Sequence, residues 1–384
     1  MSSRAVIIGA GIAGLAAALR LHQIGWEPVV IEPAPARRSG GYVVAFIGHG
    51  YDAAERMGIL PALRERHVGA VDMVNRKPGG RHRFTVPHRT MQALLGDRGL
   101  TLMRGDIEEA LYEAVEGKVP IRFGTTLTAV KQNQDGVRVE LGDGTVLEAE
   151  LLVGADGLHS KVRELVFGPE VRFRRDLGHM VAATTLDHLP DGARQRAFTT
   201  VTRVGHIFTI ANLGPGRTAA FFTYGAANPA AELAKGPRRA LADAYRDITW
   251  AAPDLIRDMS TDSVYFDSVS QIVADRWSDG RVVLLGDAAW CVTLFAGYGS
   301  SLAVGGAELL GTALRRHPGD IPAGLREWEA ELRLEAEERL AMGRRNTRAH
   351  APANRLDLLK LELPLRLAAV PPVTRLLRRH HRLH

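Results

Sequence analysis

The sequence contains very little cysteine, since Cys291 is the only one in 384 residues. A single cysteine excludes an intrachain disulfide, a zinc site built from several cysteines and a reductase that works through a cysteine pair. It also makes a reducing cytoplasm the expected compartment. Long apolar runs are missing as well, because no segment reaches the roughly 18 apolar residues that a membrane-spanning helix needs. We therefore expect no integral membrane segment, and we predict no metal site.

Positive charge is concentrated at the C-terminus. Residues 363–384 carry five arginines and no acid, while the whole chain has a net charge of +6. A segment of this kind could contact nucleic acid or an anionic membrane, or it could be a solvated helical end. Because no basic surface is indicated elsewhere in the sequence, we expect no nucleic-acid partner.

The first 32 residues predict a strand, a helix and a second strand around a glycine-rich turn. The turn Gly9-Ala10-Gly11-Ile12-Ala13-Gly14 lies between the first strand and the helix, and Glu32 ends the second strand. In this context Gly9 permits a tight turn, Gly11 lets the backbone approach a pyrophosphate, and Gly14 allows close packing of helix on strand. Glu32 can accept hydrogen bonds from ribose hydroxyls. The pattern predicts a dinucleotide site, without separating FAD from NAD.

The remaining pattern predicts an α/β protein with an inserted sheet. Residues 172–275 are β-rich with Gly, Pro and Asn breaks, which indicates a mostly antiparallel sheet that binds substrate. Residues 1–171 and 276–345 are predicted to form a discontinuous Rossmann-type domain that binds FAD. Residues 346–384 are predicted to be a helical, basic C-terminal region.

Two further motifs carry a resemblance to a known family. The segment 152–163 (LVGADGLHSKVR) resembles the Asp-Gly motif of the para-hydroxybenzoate hydroxylase superfamily of flavoprotein monooxygenases. Residues 285–299 resemble the family's second signature, Gly-Asp-Ala-Ala followed by a glycine-rich turn and a helix. Residues 104–107 and 304–307 are most similar to the tetracycline-inactivating branch, which is close to the aromatic polyketide hydroxylases.

The resemblance implies FAD as the cofactor and assigns roles to several residues. It implies that Glu32 binds ribose, that Arg104 reaches the adenosine and pyrophosphate, and that Asp287 binds the ribityl chain. It implies that Asp156 helps to hold FAD and affects NAD(P)H use. The helix after Gly299 would point its N-terminus at the isoalloxazine, where it would stabilise reduced flavin. Asp287 as a helix cap and Asp156 as a turn residue remain alternatives. The cofactor-binding set is completed by Ala13, Arg37, Gly41, Gly297 and Ser300.

The reaction implied by the resemblance is a single-component monooxygenation. NADPH or NADH would reduce FAD, and O2 would then give a flavin C4a-hydroperoxide that oxygenates an aromatic or polyketide-like small molecule. No catalytic acid or base is assigned. The apolar segment 42–47 suggests an apolar substrate, although a buried strand without substrate contact explains it equally well. Five polar residues are candidates for a pocket but are more typical of structural positions: His49, Tyr51, His179, His206 and Tyr224.

Three positions depart from the family pattern. Trp290 stands where His is usual, Leu294 where Pro is usual, and Tyr298 where Gln is frequent. These departures motivate an alternative, in which bound FAD is a non-redox part of a cyclase acting on a polyene or polyketide. A third hypothesis is a degraded flavoprotein that sequesters a drug, which the intact glycines and acids of the motifs argue against.

Overall fold

The computed structural model describes residues 3–37, 42–95, 98–261, 264–350 and 352–368, and Gly41 lies outside them. Within these residues the strands β1 to β18 are, in order, Arg4–Ile8, Glu27–Glu32, Val43–Ile47, Asp72–Arg76, His82–Val86, Gly99–Met103, Ile121–Phe123, Leu127–Gln132, Val137–Leu141, Val146–Ala149, Leu151–Gly154, Arg174–Leu186, Ala197–Arg203, His206–Asn212, Thr218–Gly225, Tyr265–Ile272, Ser278–Asp279 and Val282–Leu284. The α-helices α1 to α13 of the same residues are Ile12–Gln23, His49–Arg56, Leu60–Arg66, His88–Leu95, Arg104–Val115, Lys161–Val166, Pro229–Lys235, Pro237–Tyr245, Ala252–Asp258, Asp287–Trp290, Gly299–Arg316, Ile321–His350 and Arg355–Ala368.

A six-stranded sheet forms the first layer, in the order β17-β18-β11-β1-β2-β7. All its neighbours are parallel except β17 and β18. Strand β1 is central and its apolar residues are fully buried, as expected for a parallel strand covered on both faces. Because parallel strands end at one edge, the residues that follow β1, β11 and β18 meet there. These are the three segments in which the motifs lie, and the predicted Rossmann-type domain is confirmed.

A seven-stranded sheet forms the second layer, in the order β16-β12-β15-β14-β13-β4-β5. Every pairing is antiparallel except the one between β13 and β4, so the predicted mostly antiparallel inserted sheet is confirmed. Strands β4 and β5 come from residues 72–86, ahead of the segment 172–275. The seven-stranded sheet is therefore assembled from two separate parts of the chain, and the division at residues 171 and 276 stays a prediction.

The two faces of the seven-stranded sheet have different neighbours. Side chains alternate between the faces along each strand. One face packs on helices α7 to α9, where the Tyr245 hydroxyl donates to the Ile207 and Thr223 carbonyls at 2.9 and 2.8 Å. The opposite face, with Phe221 at its centre, is turned toward the six-stranded sheet and borders a cavity.

C-terminal helices complete the fold, as predicted, although residues 369–384 of the predicted C-terminal region lie outside the described residues. Helix α11 is almost entirely buried, and the 30-residue helix α12 packs along it. Helix α13 lies on the edge strand β5. No helix among the described residues is long and apolar enough to cross a membrane.

Candidate active site

A cavity of about 550 Å³ lies between the two sheets. One end of the cavity, called the cofactor end below, is formed by the starts of helices α1 and α11 and by the segments that follow β11 and β18. Its other end is formed by the inner face of the seven-stranded sheet. Of the predicted site residues within the described ranges, the cavity is lined by Gly11, Ala13, Arg104, Asp287, Gly297, Gly299 and Ser300.

The first glycine turn has the geometry that its motif requires. Gly9 has φ +104°, and a Cβ there would lie 2.4 Å from the Ala155 carbonyl oxygen. A Cβ at Gly14 would lie 1.8 Å from the Gly9 carbonyl oxygen, so helix α1 could not sit this close to the turn. Gly11 begins α1 at the cavity wall, and no side chain caps this helix. Its free backbone N–H groups and partial positive charge suit a pyrophosphate.

Glu32 already binds the turn that precedes the helix. Its carboxylate accepts from the Ala10 and Ala34 amides at 2.8 and 3.0 Å. The side chain therefore fixes the shape of the glycine turn from the end of β2. Its hydrogen bond to a ribose remains a prediction.

The two predicted arginines are placed differently. Arg104 begins helix α5 in the cavity wall, where its guanidinium is 2.9 Å from the Glu108 carboxylate and lies beside Gly11. Arg37 instead pairs with Glu109 and stacks 3.8 Å above the Tyr112 ring, outside the cavity. Arg104 can therefore reach a ligand at the helix α1 turn directly, whereas Arg37 would have to leave two partners to do so.

Asp156 caps a helix. Its carboxylate accepts from the Ser160 hydroxyl at 2.5 Å and from the Lys161 and Val162 amides at 2.7 and 3.0 Å. These bonds occupy the side chain at the start of α6, while the neighbours Ala155 and Gly157 line the cavity. The predicted role of Asp156 toward FAD or NAD(P)H stays a prediction.

Asp287 faces the cavity while protein surrounds it on every other side. It is the first residue of α10, and the cap position belongs to Gly286. Burial raises the pKa of its carboxyl group, against the opposing effect of the Arg104 charge. Burial likewise raises the pKa of the neighbouring Cys291 thiol, which keeps it protonated and weakly nucleophilic. A carboxylate that lines the cavity suits a ligand hydroxyl.

The start of α11 forms the opposite side of the cofactor end. Gly297 has φ +62°, Tyr298 precedes the helix without capping it, and Gly299 and Ser300 line the cavity. Two hydrogen bonds tie this turn to the β3–α2 connection. The Tyr298 hydroxyl accepts from the His49 amide at 3.1 Å, and the Ser301 hydroxyl accepts from the Ile47 amide at 3.1 Å. The uncapped helix start is therefore held in a fixed position.

The departures from the family pattern have local explanations. Trp290 does not line the cavity; it is buried against Trp277 and Trp328, with ring centroids 4.6 and 5.8 Å away. The loop that lacks a proline is held by the Thr293 hydroxyl, which accepts from the Phe295 amide at 3.1 Å. Asn346 adds a hydrogen bond of 3.0 Å to the Phe295 carbonyl. These side-chain hydrogen bonds thus restrain the loop at position 294, where the family usually has proline.

The substrate end of the cavity is apolar and aromatic. Strands β12 to β15 each contribute their inner face, and Tyr42 to Ala45 contribute a second wall, so the segment 42–47 is not confined to the core. Among the described residues that line the cavity, the charged ones are Arg104 and Asp287, both at the cofactor end. The inner sheet face consists of Val181, Phe198, Ile207, Thr209, Ala211, Ala219, Phe221 and Thr223.

The five polar candidates have structural partners and do not line the cavity. His49 pairs with Glu335, and the Tyr51 hydroxyl accepts from Arg64 at 2.6 Å. The imidazoles of His179 and His206 contact the carbonyls two residues before them, and Tyr224 donates to Glu232. Tyr265 also lines the cavity but was not predicted from the sequence. A tyrosine at the start of a strand carries no sequence signal that it contacts a ligand.

The residues at the cofactor end fit FAD. Two uncapped helix starts face the same cavity, one beside a glycine cradle that a Cβ would fill and the other beside Asp287. When bound, the flavin would supply the redox chemistry of the site. No group of three or more His, Cys, Asp or Glu side chains that could hold a metal occurs within the described ranges.

Comparisons with known proteins agree with this fit. A family model described as an FAD binding domain matches residues 2–320. An uncharacterized protein of Mycobacterium tuberculosis is 32% identical over 85% of this chain and 89% of its own length. A flavin-dependent monooxygenase of Legionella longbeachae is 27% identical over 85% and 84%. The crystal structure of the tetracycline destructase Tet(51) superimposes with a TM-score of 0.81, at 25% identity over 96% of this chain and 97% of that one. The chain therefore belongs to the FAD binding domain family, as a flavin-dependent monooxygenase of the para-hydroxybenzoate hydroxylase superfamily.

Proposed function

We propose that the enzyme uses NADPH or NADH and O2 to hydroxylate or oxygenate a neutral aromatic or polyketide-like small molecule. The observation that carries this proposal is the cavity that joins the cofactor end to the inner face of the seven-stranded sheet. A substrate on that face would lie next to the flavin without crossing solvent. Monooxygenation needs a site that limits the access of water, because activated oxygen is lost to water in an open one.

The charge distribution supports a neutral substrate. An anionic substrate would need a cation at the sheet end, and the described lining there has none. Tyr42 and Tyr265 offer phenols instead, and burial raises the pKa of both groups, so that each stays a neutral donor. Thr209 and Thr223 add hydroxyls between apolar neighbours. Such a wall suits a largely apolar ring system that carries a few hydroxyl or carbonyl groups.

The chain's own contribution would be binding and positioning. The helix α1 turn, Arg104 and Asp287 would hold the cofactor, and the fixed start of α11 would stabilise negative charge on its reduced form. The sheet face would orient the substrate and exclude water. The Phe221 and Tyr42 rings are in contact, with centroids 5.8 Å apart, so together they would form one side of the substrate space.

The test is the visible spectrum of the purified holoenzyme under anaerobic addition of NADPH or NADH, alone and with a panel of neutral and anionic aromatic compounds. We expect the flavin bands to bleach and to return when oxygen is admitted, with oxygen uptake coupled to a neutral compound. Flavin that stays oxidised with every compound would contradict the proposal and favour a non-redox cyclase. Coupled turnover of anionic compounds alone would contradict the substrate class while leaving the redox function intact.

A further inference from the structure

The outward face of helix α13 carries a continuous row of exposed leucines. Leu356, Leu359, Leu363 and Leu367 are 52–60% exposed. At 3.6 residues per turn they fall within an arc of about 80°. Single exposed apolar residues are ordinary on a protein surface, but a row on one face of one helix indicates an interaction surface. This row is the leucine stripe.

Contacts on the flank of the helix fix the direction of the stripe. Glu362 is buried and accepts from Arg83 of strand β5 at 2.7 Å and from Arg366 at 2.9 Å. The Arg366 guanidinium also lies 5.4 Å from the centre of the Phe84 ring. The helix is thus held flat on the edge of the sheet, and the stripe faces away from the protein.

The charges around the stripe decide which partner fits it. Lys360 lies beside the leucines on the same helix, and residues 369–384 contain four arginines, three histidines and no acid. Two copies of the chain joined at the stripe would bring two such basic segments together. An anionic lipid surface would attract them while accepting the leucines among its acyl chains.

We infer that the leucine stripe and the basic segment after it dock the enzyme on an anionic membrane surface. The contact is peripheral, because the 14 residues of α13 are too few to cross a bilayer. The leucines supply apolar burial, and the arginines supply an electrostatic attraction that falls as salt is raised. This role is independent of the reaction in the cavity.

The experiment is co-sedimentation of the full-length holoenzyme with vesicles of phosphatidylcholine alone or mixed with phosphatidylglycerol. We expect binding to the mixed vesicles that weakens as salt increases. The double variant Leu359→Ser/Leu363→Ser should bind at least tenfold more weakly, because two half-exposed leucines lose their burial in lipid. The double variant Arg378→Gln/Arg379→Gln should bind about 25-fold more weakly at low salt, at about fivefold per charge.

Matched controls separate docking from general surface effects. Leu334 on α12 is 69% exposed but isolated, and Leu334→Ser should leave vesicle binding unchanged. Arg257→Gln/Arg276→Gln removes the same charge from other exposed sites and should have much less effect than the pair in the tail. Flavin absorbance and circular dichroism should match the parent protein in every variant.

Three outcomes would overturn the inference. The first is a lack of binding to the mixed vesicles, and the second is equal binding to both vesicle types. The third is a native dimer that the leucine variant converts to a monomer, which would make the stripe an interface between copies of the chain. The arginine variant keeps the test decisive if the leucine variant fails to fold.

Discussion

The buried tryptophan cluster gives a sharp test of what Trp290 does. Trp290 is 1% exposed, and a Cβ on Gly306 would lie 3.1 Å from its ring, so the glycine makes room for the indole. Trp290→His restores the residue usual in the family but removes much of this packing. Large-to-small changes of buried aromatic residues cost about 3–5 kcal/mol. An imidazole without a partner adds about 1–3 kcal/mol. We expect a loss of at least ~3 kcal/mol from a total of ~5–15 kcal/mol.

Urea unfolding of the holoenzyme measures this loss. The midpoint should fall with little change in slope, because the unfolded chain exposes nearly the same surface. Trp290→Phe keeps an aromatic ring in the cluster and should lose less. The spectrum of the bound flavin should be the same in all three proteins, since Trp290 does not line the cavity. An unchanged midpoint together with a changed rate of flavin reduction would refute the reasoning and assign the position to the cofactor.

Three further predictions follow from neighbouring contacts. Phe221 faces the cavity, whereas Phe222 faces the core. We therefore expect Phe221→Ala to raise KM with little loss of stability, and Phe222→Ala to cost about 3–5 kcal/mol in urea unfolding. Equal losses of stability in the two variants would contradict the assignment of the two faces. Tyr298→Phe leaves the His49 amide without its acceptor, which should cost about 1–3 kcal/mol by the same measurement. The hydrogen bond to Asp267 raises the pKa of His159 above the ordinary histidine value of about 6.5, so the stability difference between the parent and His159→Gln should be greatest below about pH 6.5 and shrink as pH rises. Urea midpoints at pH 5.5 and 8.5 check the sign.

The part of the fold that local sequence determines was predictable. Strand β1, helix α1 and strand β2 occupy Arg4–Ile8, Ile12–Gln23 and Glu27–Glu32, in the order that the first 32 residues predict and with Glu32 ending the second strand. The glycine turn has a strong local signal, because the backbone conformation at Gly9 and the close packing at Gly14 exclude most other residue types at these positions. A buried parallel strand also has a strong local signal. Contacts between distant segments were not predictable in the same way. Strands β4 and β5 join the seven-stranded sheet through a pairing with β13 that spans more than 100 residues of sequence.

Side-chain partners were the least predictable part of the site. Asp156 and Arg37 carry residue types that suit a cofactor, yet the structure gives their charged groups to a helix start and to Glu109. A motif specifies which residue occupies a position, but it does not show which neighbouring protein groups will bind that side chain. Helices α7 to α9 were missed for a related reason, because the surrounding strands dominate the pattern of residues 172–275.

The separation of charge within the cavity has a consequence for pH dependence. The charged lining residues of the described chain, Arg104 and Asp287, stand at the cofactor end, and the substrate end offers neutral phenols and hydroxyls. Burial raises the pKa of Tyr265, so this phenol stays protonated through neutral pH. Binding of a neutral substrate should therefore change little with pH between 6 and 8. Any strong pH dependence of turnover in that range should come from the cofactor end or from the substrate itself, because no described residue of the substrate wall titrates there.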